Sequence, residues 1–133
     1  MTIPEGVTTI GNYAFFGCAG LTGMTLPEGV TSIGDYAFYN CSSLTSIDIP
    51  DSVTTIGSSA FFNSGLVSIT IPNSVTNLST DQVFGLCHKL VSVTLPDSVT
   101  TLGSWEFYSC ENLTSINIPE GVTQISGNSR PHL

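Results

Sequence analysis

Residues 29–50 read GVTSIGDYAFYNCSSLTSIDIP, and nearly the same line stands just before them, at 6–27, as GVTTIGNYAFFGCAGLTGMTLP. It returns at 98–119 as SVTTLGSWEFYSCENLTSINIP. A chain that repeats one line describes one supersecondary unit laid against copies of itself. The prolines supply the ruler: Pro4, Pro27, Pro50, Pro72, Pro96 and Pro119 are separated by 23, 23, 22, 24 and 23 residues. The short third copy lacks one residue around Ser64–Gly65, and the long fourth copy has one more near Thr80–Gln82. Both irregularities are expected in the same tolerant turn of the repeat.

Within each copy the apolar positions recur. Leu44, Ile47 and Ile49 make L-x-x-I-x-I, repeated as Leu21/Met24/Leu26, Leu66/Ile69/Ile71, Leu90/Val93/Leu95 and Leu113/Ile116/Ile118. Its period-two, β-branched end predicts a short strand with alternate side chains buried, stopped by a proline that cannot donate to a ladder. V-T-x-I, as in Val53 and Ile56, predicts a second short extended piece. A glycine (Gly11, Gly34, Gly57, Gly103) follows where the chain must turn. A-F-x-x-C closes the circuit with Phe15, Phe38, Phe61, Phe84 and Phe107, in a stretch long enough for one 3-10 or α-helical turn.

One copy buries about six large side chains, each worth roughly 1.5–3 kcal/mol. Ordering its backbone costs on the order of 1–2 kcal/mol per residue, so a lone coil cannot fold and must stack. The expected fold is a right-handed solenoid, mostly β, with a parallel sheet on its concave side. Short second strands and single helical turns make its convex side. Residues 1–126 are expected to form one domain of five to six coils, with a non-repeat tail at 127–133.

Only 9% of the 133 residues are charged, yet the net charge is −8, because Lys89 and Arg130 stand against ten acids. Such a surface has no basic stripe for nucleic acid and no cationic patch for anionic membranes. No apolar run reaches the 18 or so residues of a membrane span, which argues against direct membrane insertion. The start, MTIPEGVTTIG, has neither the basic nor the apolar part of a signal peptide. Since the repeat begins at once after Met1, the export signal is expected to lie outside this chain.

Cys18, Cys41, Cys87 and Cys110 occupy one position of the repeat, which Ser64 holds in the third copy. A position shared by Cys and Ser reads as a ladder of small buried groups, with no CxxC pair and no zinc set. The only histidines are His88, in a turn beside Lys89, and His132, in the tail. No nucleophile–base motif or phosphate-cradling loop accompanies them, so no catalytic residue, metal site or cofactor is expected.

On the L-x-x-I-x-I strands the outward positions form a small, polar concave face. Its candidate binding residues are Ser46, Asp48, Ser68, Thr70, Ser92, Thr94, Ser115 and Asn117. A neighbouring stripe reads Thr22, Thr45, Val67, Val91 and Thr114. After the strands an acid follows proline (Glu5, Glu28, Asp51, Asp97, Glu120), with Asn73 interrupting, which reads as a solvated acidic edge. One carboxylate per coil is too few ligands for calcium. A candidate aromatic patch on the convex side comprises Tyr39, Phe62, Trp105 and Tyr108. Glu106 stands where other copies have Ala14, Ala37, Ala60 and Val83, so either the coil opens there or the carboxylate reaches water.

The pattern L-x-S-I-x-I-P-x-x-V-T-x-I-G-x-x-A-F-x-x-C resembles the 23-residue leucine-rich repeat of the BspA-like family of bacterial and protozoan proteins, over residues 2 to about 126. The resemblance implies a horseshoe fold and a cell-surface or secreted parent protein concerned with adhesion. The implied partner is a protein, such as a host extracellular-matrix or surface glycoprotein. The alternative is an assembly element, a homo-oligomer joined through uncapped solenoid ends.

Overall fold

The computed structural model describes residues 2–79, 81–102 and 106–125, in which eleven short strands and no helix occur. The V-T-x-I segments supply β1 (Thr9–Ile10), β3 (Ser32–Ile33), β5 (Thr55–Ile56), β7 (Asn77–Leu78), β9 (Thr101–Leu102) and β11 (Gln124–Ile125). The L-x-x-I-x-I segments supply β2 (Gly23–Thr25), β4 (Ser46–Asp48), β6 (Ser68–Thr70), β8 (Ser92–Thr94) and β10 (Ser115–Ile116). All pairings are parallel, each strand beside its counterpart in the next coil, so the fold is a β-solenoid. We call the L-x-x-I-x-I wall the first sheet, with ladders β2–β4 and β6–β8–β10. The V-T-x-I wall is the second sheet, with ladders β1–β3–β5–β7 and β9–β11.

The two irregular copies are accommodated in different turns, contrary to the sequence expectation of one shared turn. Asn77 pairs with Thr55, 22 residues back, whereas Phe84 stacks on Phe61, 23 back, so the extra residue lies between Leu78 and Phe84. The Ser64 hydroxyl meets the Cys87 thiol across 23 residues, whereas Ser92 pairs with Ser68 across 24, so the missing residue lies between Ser64 and Ser68. One indel thus precedes the A-F-x-x-C segment and the other follows it.

That segment is not a helical turn. Tyr36, Phe38 and Asn40 donate their N–H groups to the next coil, at the carbonyls of Ser58 (2.9 Å), Ala60 (2.8 Å) and Phe62 (2.9 Å). Between them, Tyr39 and Cys41 close tight turns within their own coil, onto the carbonyls of Tyr36 and Phe38. Alternate donors are therefore spent on the neighbour, and a helix, which needs every donor for its own chain, cannot propagate. Left-handed residues punctuate the wall at a spacing of four: Tyr36 (φ 58°) and Asn40 (φ 60°), then Ser59 and Asn63, then Gln82 and Leu86. Asn suits this conformation, and Asn63 donates its amide to the Asn40 carbonyl oxygen at 2.9 Å.

The core runs the length of the stack. Phe15, Phe38, Phe61, Phe84 and Phe107 lie ring on ring, with centroids 5.3, 5.5, 6.0 and 5.7 Å apart, nearly parallel. Such pairs contribute about 0.5–1.5 kcal/mol each beyond the area they bury. The repeated cysteine ties one coil to another, since the thiols of Cys41, Cys87 and Cys110 donate to the carbonyls of Phe15, Phe61 and Phe84 at 3.0–3.2 Å. Ser64, which holds this position in the third copy, meets the Cys87 thiol at 3.3 Å instead. Burial pushes the Cys41 thiol up to about 11 and the Cys110 thiol to about 12. Gly34 and Gly57, expected as turn residues, answer a different need. A Cβ on either would collide with the Asn12 or Asp35 side chain of the preceding coil. Those side chains accept the N–H groups of Asp35 and Ser58 at 2.8 Å.

Candidate binding face

Alternation on the first sheet positions the candidate residues. Met24, Ile47, Ile69 and Val93 point inward and are buried, so their neighbours on each strand point outward. Register then draws stripes along the solenoid. Ser46 lies beside Gly23 in one pair and Ser68, Ser92 and Ser115 follow in the other ladder; Asp48 lies beside Thr25, and Thr70 beside Thr94. Ser46, Asp48, Ser68, Thr70, Thr94 and Ser115 are exposed and Ser92 is half-buried. Asn117 is also exposed, but its amide is engaged with the end of β8: it accepts the Leu95 N–H at 2.7 Å and donates to the Leu95 carbonyl at 3.1 Å. It is a clasp between two coils.

The face is not uniform. Where β4 meets β6 a groove of about 620 Å³ opens, walled by Ser46, Asp48, Ser68 and Thr70 and closed at one end by Asp51 and Asn73. A depression of about 310 Å³ continues from it toward Thr25 and Glu28, so Glu28, Asp48 and Asp51 border one surface. The sequence placed the post-proline acids on a separate edge, because it could not show the strand end and the following turn sharing a wall. Glu5, Glu28, Asp51, Asp97 and Glu120 are all exposed. Among the described residues no group of three or more His, Cys, Asp or Glu is arranged to hold a metal ion. Val67 and Val91, 44% and 42% exposed, add an apolar stripe beside Ser68 and Ser92. The sequence marks them as the copies in which Thr gives way to Val, a signal that outward polarity alone passes over.

The aromatic side is organised in two files. Tyr13 stacks on Tyr36 at 5.1 Å; Phe16, Tyr39 and Phe62 stack at 5.0 and 4.9 Å. Tyr39 and Phe62 are half-buried in this stacking, while Tyr108 is 42% exposed. Trp105 lies outside the described residues. Among the described residues the most open rings are Tyr13 and Phe16, at 58% and 47%. The file stops at Gly85 because the Phe62 ring lies where its side chain would be.

Glu106 is 3% exposed and accepts the Val83 N–H at 3.2 Å. Burial first, with the nearby Asp81 charge adding, pushes its carboxyl up to about 8. It does not reach open water; the second sheet opens beside it, between β7 and β9. His88 faces Glu111 at 3.2 Å, both side chains being more than half exposed, in a surface pair.

These features define a class, a parallel β-solenoid of 23-residue leucine-rich coils. The family model for the BspA type leucine rich repeat region matches residues 1–81 and 80–129, in six copies. The chain belongs to that family. A leucine rich cell surface protein from Faecalibacterium prausnitzii is similar over 96% of this chain, with 34% identity and a TM-score of 0.81. The leucine rich repeat protein of T. pallidum is similar over 94%, with 31% identity and a TM-score of 0.77. The pneumococcal vaccine antigen PcpA is similar over 97%, with 25% identity and a TM-score of 0.77. The chain spans 32%, 72% and 36% of those three structures. No curated protein matches it significantly.

Proposed function

We propose that the chain is a non-catalytic protein-binding module, of the adhesion kind, carried by a cell-surface or secreted protein. The observation that carries this reading is the open first sheet, whose stripes of Ser, Thr and Asp run along the solenoid beside exposed Val67 and Val91. Small side chains on a rigid sheet lose little entropy when covered, and a longer array of such coils gains strength by avidity. The similarity to a cell surface protein and to a vaccine antigen supports a surface location. The non-catalytic reading is supported by the chemistry of the side chains: burial holds the thiols of Cys41, Cys87 and Cys110 protonated, and His88 is turned to Glu111 at the surface.

The test is binding of the purified chain to immobilised fibronectin and fibrinogen, compared with a Ser68→Arg/Thr94→Arg variant. Saturable binding that the variant weakens by about tenfold or more, some 1.4 kcal/mol, is the expected result. Equal binding by both proteins, or none up to high micromolar concentration, overturns the reading. A second reading is end-on association of copies, continuing the stacked files of Tyr13 and Tyr36 and of Phe16, Tyr39 and Phe62 from one copy to the next. Sedimentation of the same samples at the mass of one chain removes it.

A further inference from the structure

Among the described residues the second sheet is interrupted once. β5 pairs with β7 and β9 with β11, but β7 and β9 are not joined, and none of their Cα atoms come within 8 Å of each other. Paired strands lie about 4.8 Å apart, so each of these two presents a row of backbone groups to a gap wider than one ladder spacing. The gap is a cleft of about 220 Å³. A water's share of liquid volume is about 30 Å³, so the cleft has room for one long side chain with the backbone that bears it. Its lining includes polar Asn77, Ser79 and Thr101, apolar Leu78 and Val99, and Glu106.

Glu106 makes this cleft chemically specific. Its carboxylate accepts the Val83 N–H, and the two charges that interact with it are both acidic groups, Asp81 of the preceding coil and the Cys110 thiol of its own. Among the described residues no cation offsets it. Counterparts in other coils are alanine or valine, which fill the position at no electrostatic cost. A buried carboxyl beside unpaired strand edges is complementary to a segment that brings both a backbone to pair and a cation to neutralise.

We propose that the cleft between β7 and β9 binds a short extended peptide segment bearing a lysine or arginine, whose backbone lies along the open strand edges and whose cation meets Glu106. This site is separate from the first sheet, so it stands or falls independently of the adhesion reading. Binding converts Glu106 to its ionised form and releases the proton it carries below about pH 8. Affinity therefore rises with pH toward that value and levels off above it.

The probe is the peptide acetyl-Val-Thr-Lys-Val-Thr-amide, titrated calorimetrically into the full chain, with a norleucine-for-lysine peptide as control. The expected result is saturable binding of the lysine peptide, close to tenfold tighter at pH 7 than at pH 6, with proton release read from two buffers of different ionisation enthalpy. Glu106→Gln is expected to abolish the preference for lysine and the pH dependence together. Glu106→Ala, which installs the residue of other coils, gives the same readout should the glutamine variant fold poorly. Equal binding of the norleucine peptide, unchanged binding by both Glu106 variants, or no saturation up to millimolar peptide each overturns the proposal.

Discussion

At the junction between the coils of Phe38 and Phe61 the second sheet and the A-F-x-x-C wall are closed, while the first sheet is broken between β4 and β6. Thr54 and Gly57 donate to Thr31 and Ile33 at 2.8 and 2.9 Å, Phe38 donates to Ala60 at 2.8 Å, and Ser58 donates to the Asp35 carboxylate at 2.8 Å. Between the coils of Phe84 and Phe107 the first sheet is intact, Leu86 donates to Tyr108 at 2.7 Å, and the rings stack at 5.7 Å. There it is the second sheet that is broken, between β7 and β9. The difference shows which contacts hold the stack together. The phenylalanine column continues through both junctions, whereas a different ladder yields at each, β4–β6 beside the residue the third copy lacks and β7–β9 beside the extra residue of the fourth copy and Glu106.

The largest effect that would break this comparison is expected from Phe61→Ala. Its ring is fully buried and stacks on Phe38 at 5.5 Å and Phe84 at 6.0 Å, so truncation opens a cavity in the column that joins both regions. A loss of about 3–5 kcal/mol is expected in urea unfolding, a large share of the roughly 5–15 kcal/mol that holds an ordinary domain folded. A loss below about 1 kcal/mol would show that the walls, and not the column, hold the coils.

The next effect isolates the open junction. Glu106 is held at about 8 in the folded chain against an ordinary 4.5. Below the lower value both states are protonated and no penalty arises. As pH rises between the two values the unfolded chain ionises while the folded one keeps its proton, so stability falls across this window and is level above it. The total loss is on the order of a few kcal/mol, and Glu106→Gln is expected to remove this contribution from the pH dependence. An unchanged pH dependence in that variant would mean that the cleft already solvates the carboxylate.

The smallest effect sharpens the comparison from the other direction. Leu86 sits at φ 56°, where the matching residues of two earlier coils are Asn40 and Asn63. Leu86→Asn is expected to stabilise by about 1 kcal/mol, read as a raised urea midpoint at unchanged slope, because Asn tolerates the left-handed region that Leu does not. A fall in midpoint would show that the Leu86 side chain contributes more by packing than its backbone costs.

The spacing of the prolines and the constancy of Phe and Leu made the solenoid legible, because a coil of this size cannot bury its own apolar face. Outward positions such as Ser68 and Thr70 followed from strand alternation alone. Other features did not follow. The A-F-x-x-C segment reads as helical turn until its donors are traced to the neighbouring coil. Gly34 and Gly57 read as turn glycines until the side chains of Asn12 and Asp35 are found against them. Asn117 looks like an outward polar residue and is spent on Leu95. Each misreading concerns a contact made 22 to 24 positions away, which a pattern within one copy does not contain.

The sequence by itself determined that the chain is a stack of 23-residue coils with one small polar face, one acidic row and a column of phenylalanine. Periodic burial is a local property, written in every copy. Only the tertiary structure decided which coils close on one another, where Glu28 and Asp51 join Asp48, and that Glu106 lines a gap between β7 and β9. Those outcomes depend on how two non-identical copies fit together, and the fit is settled by packing between coils rather than by the letters of either one.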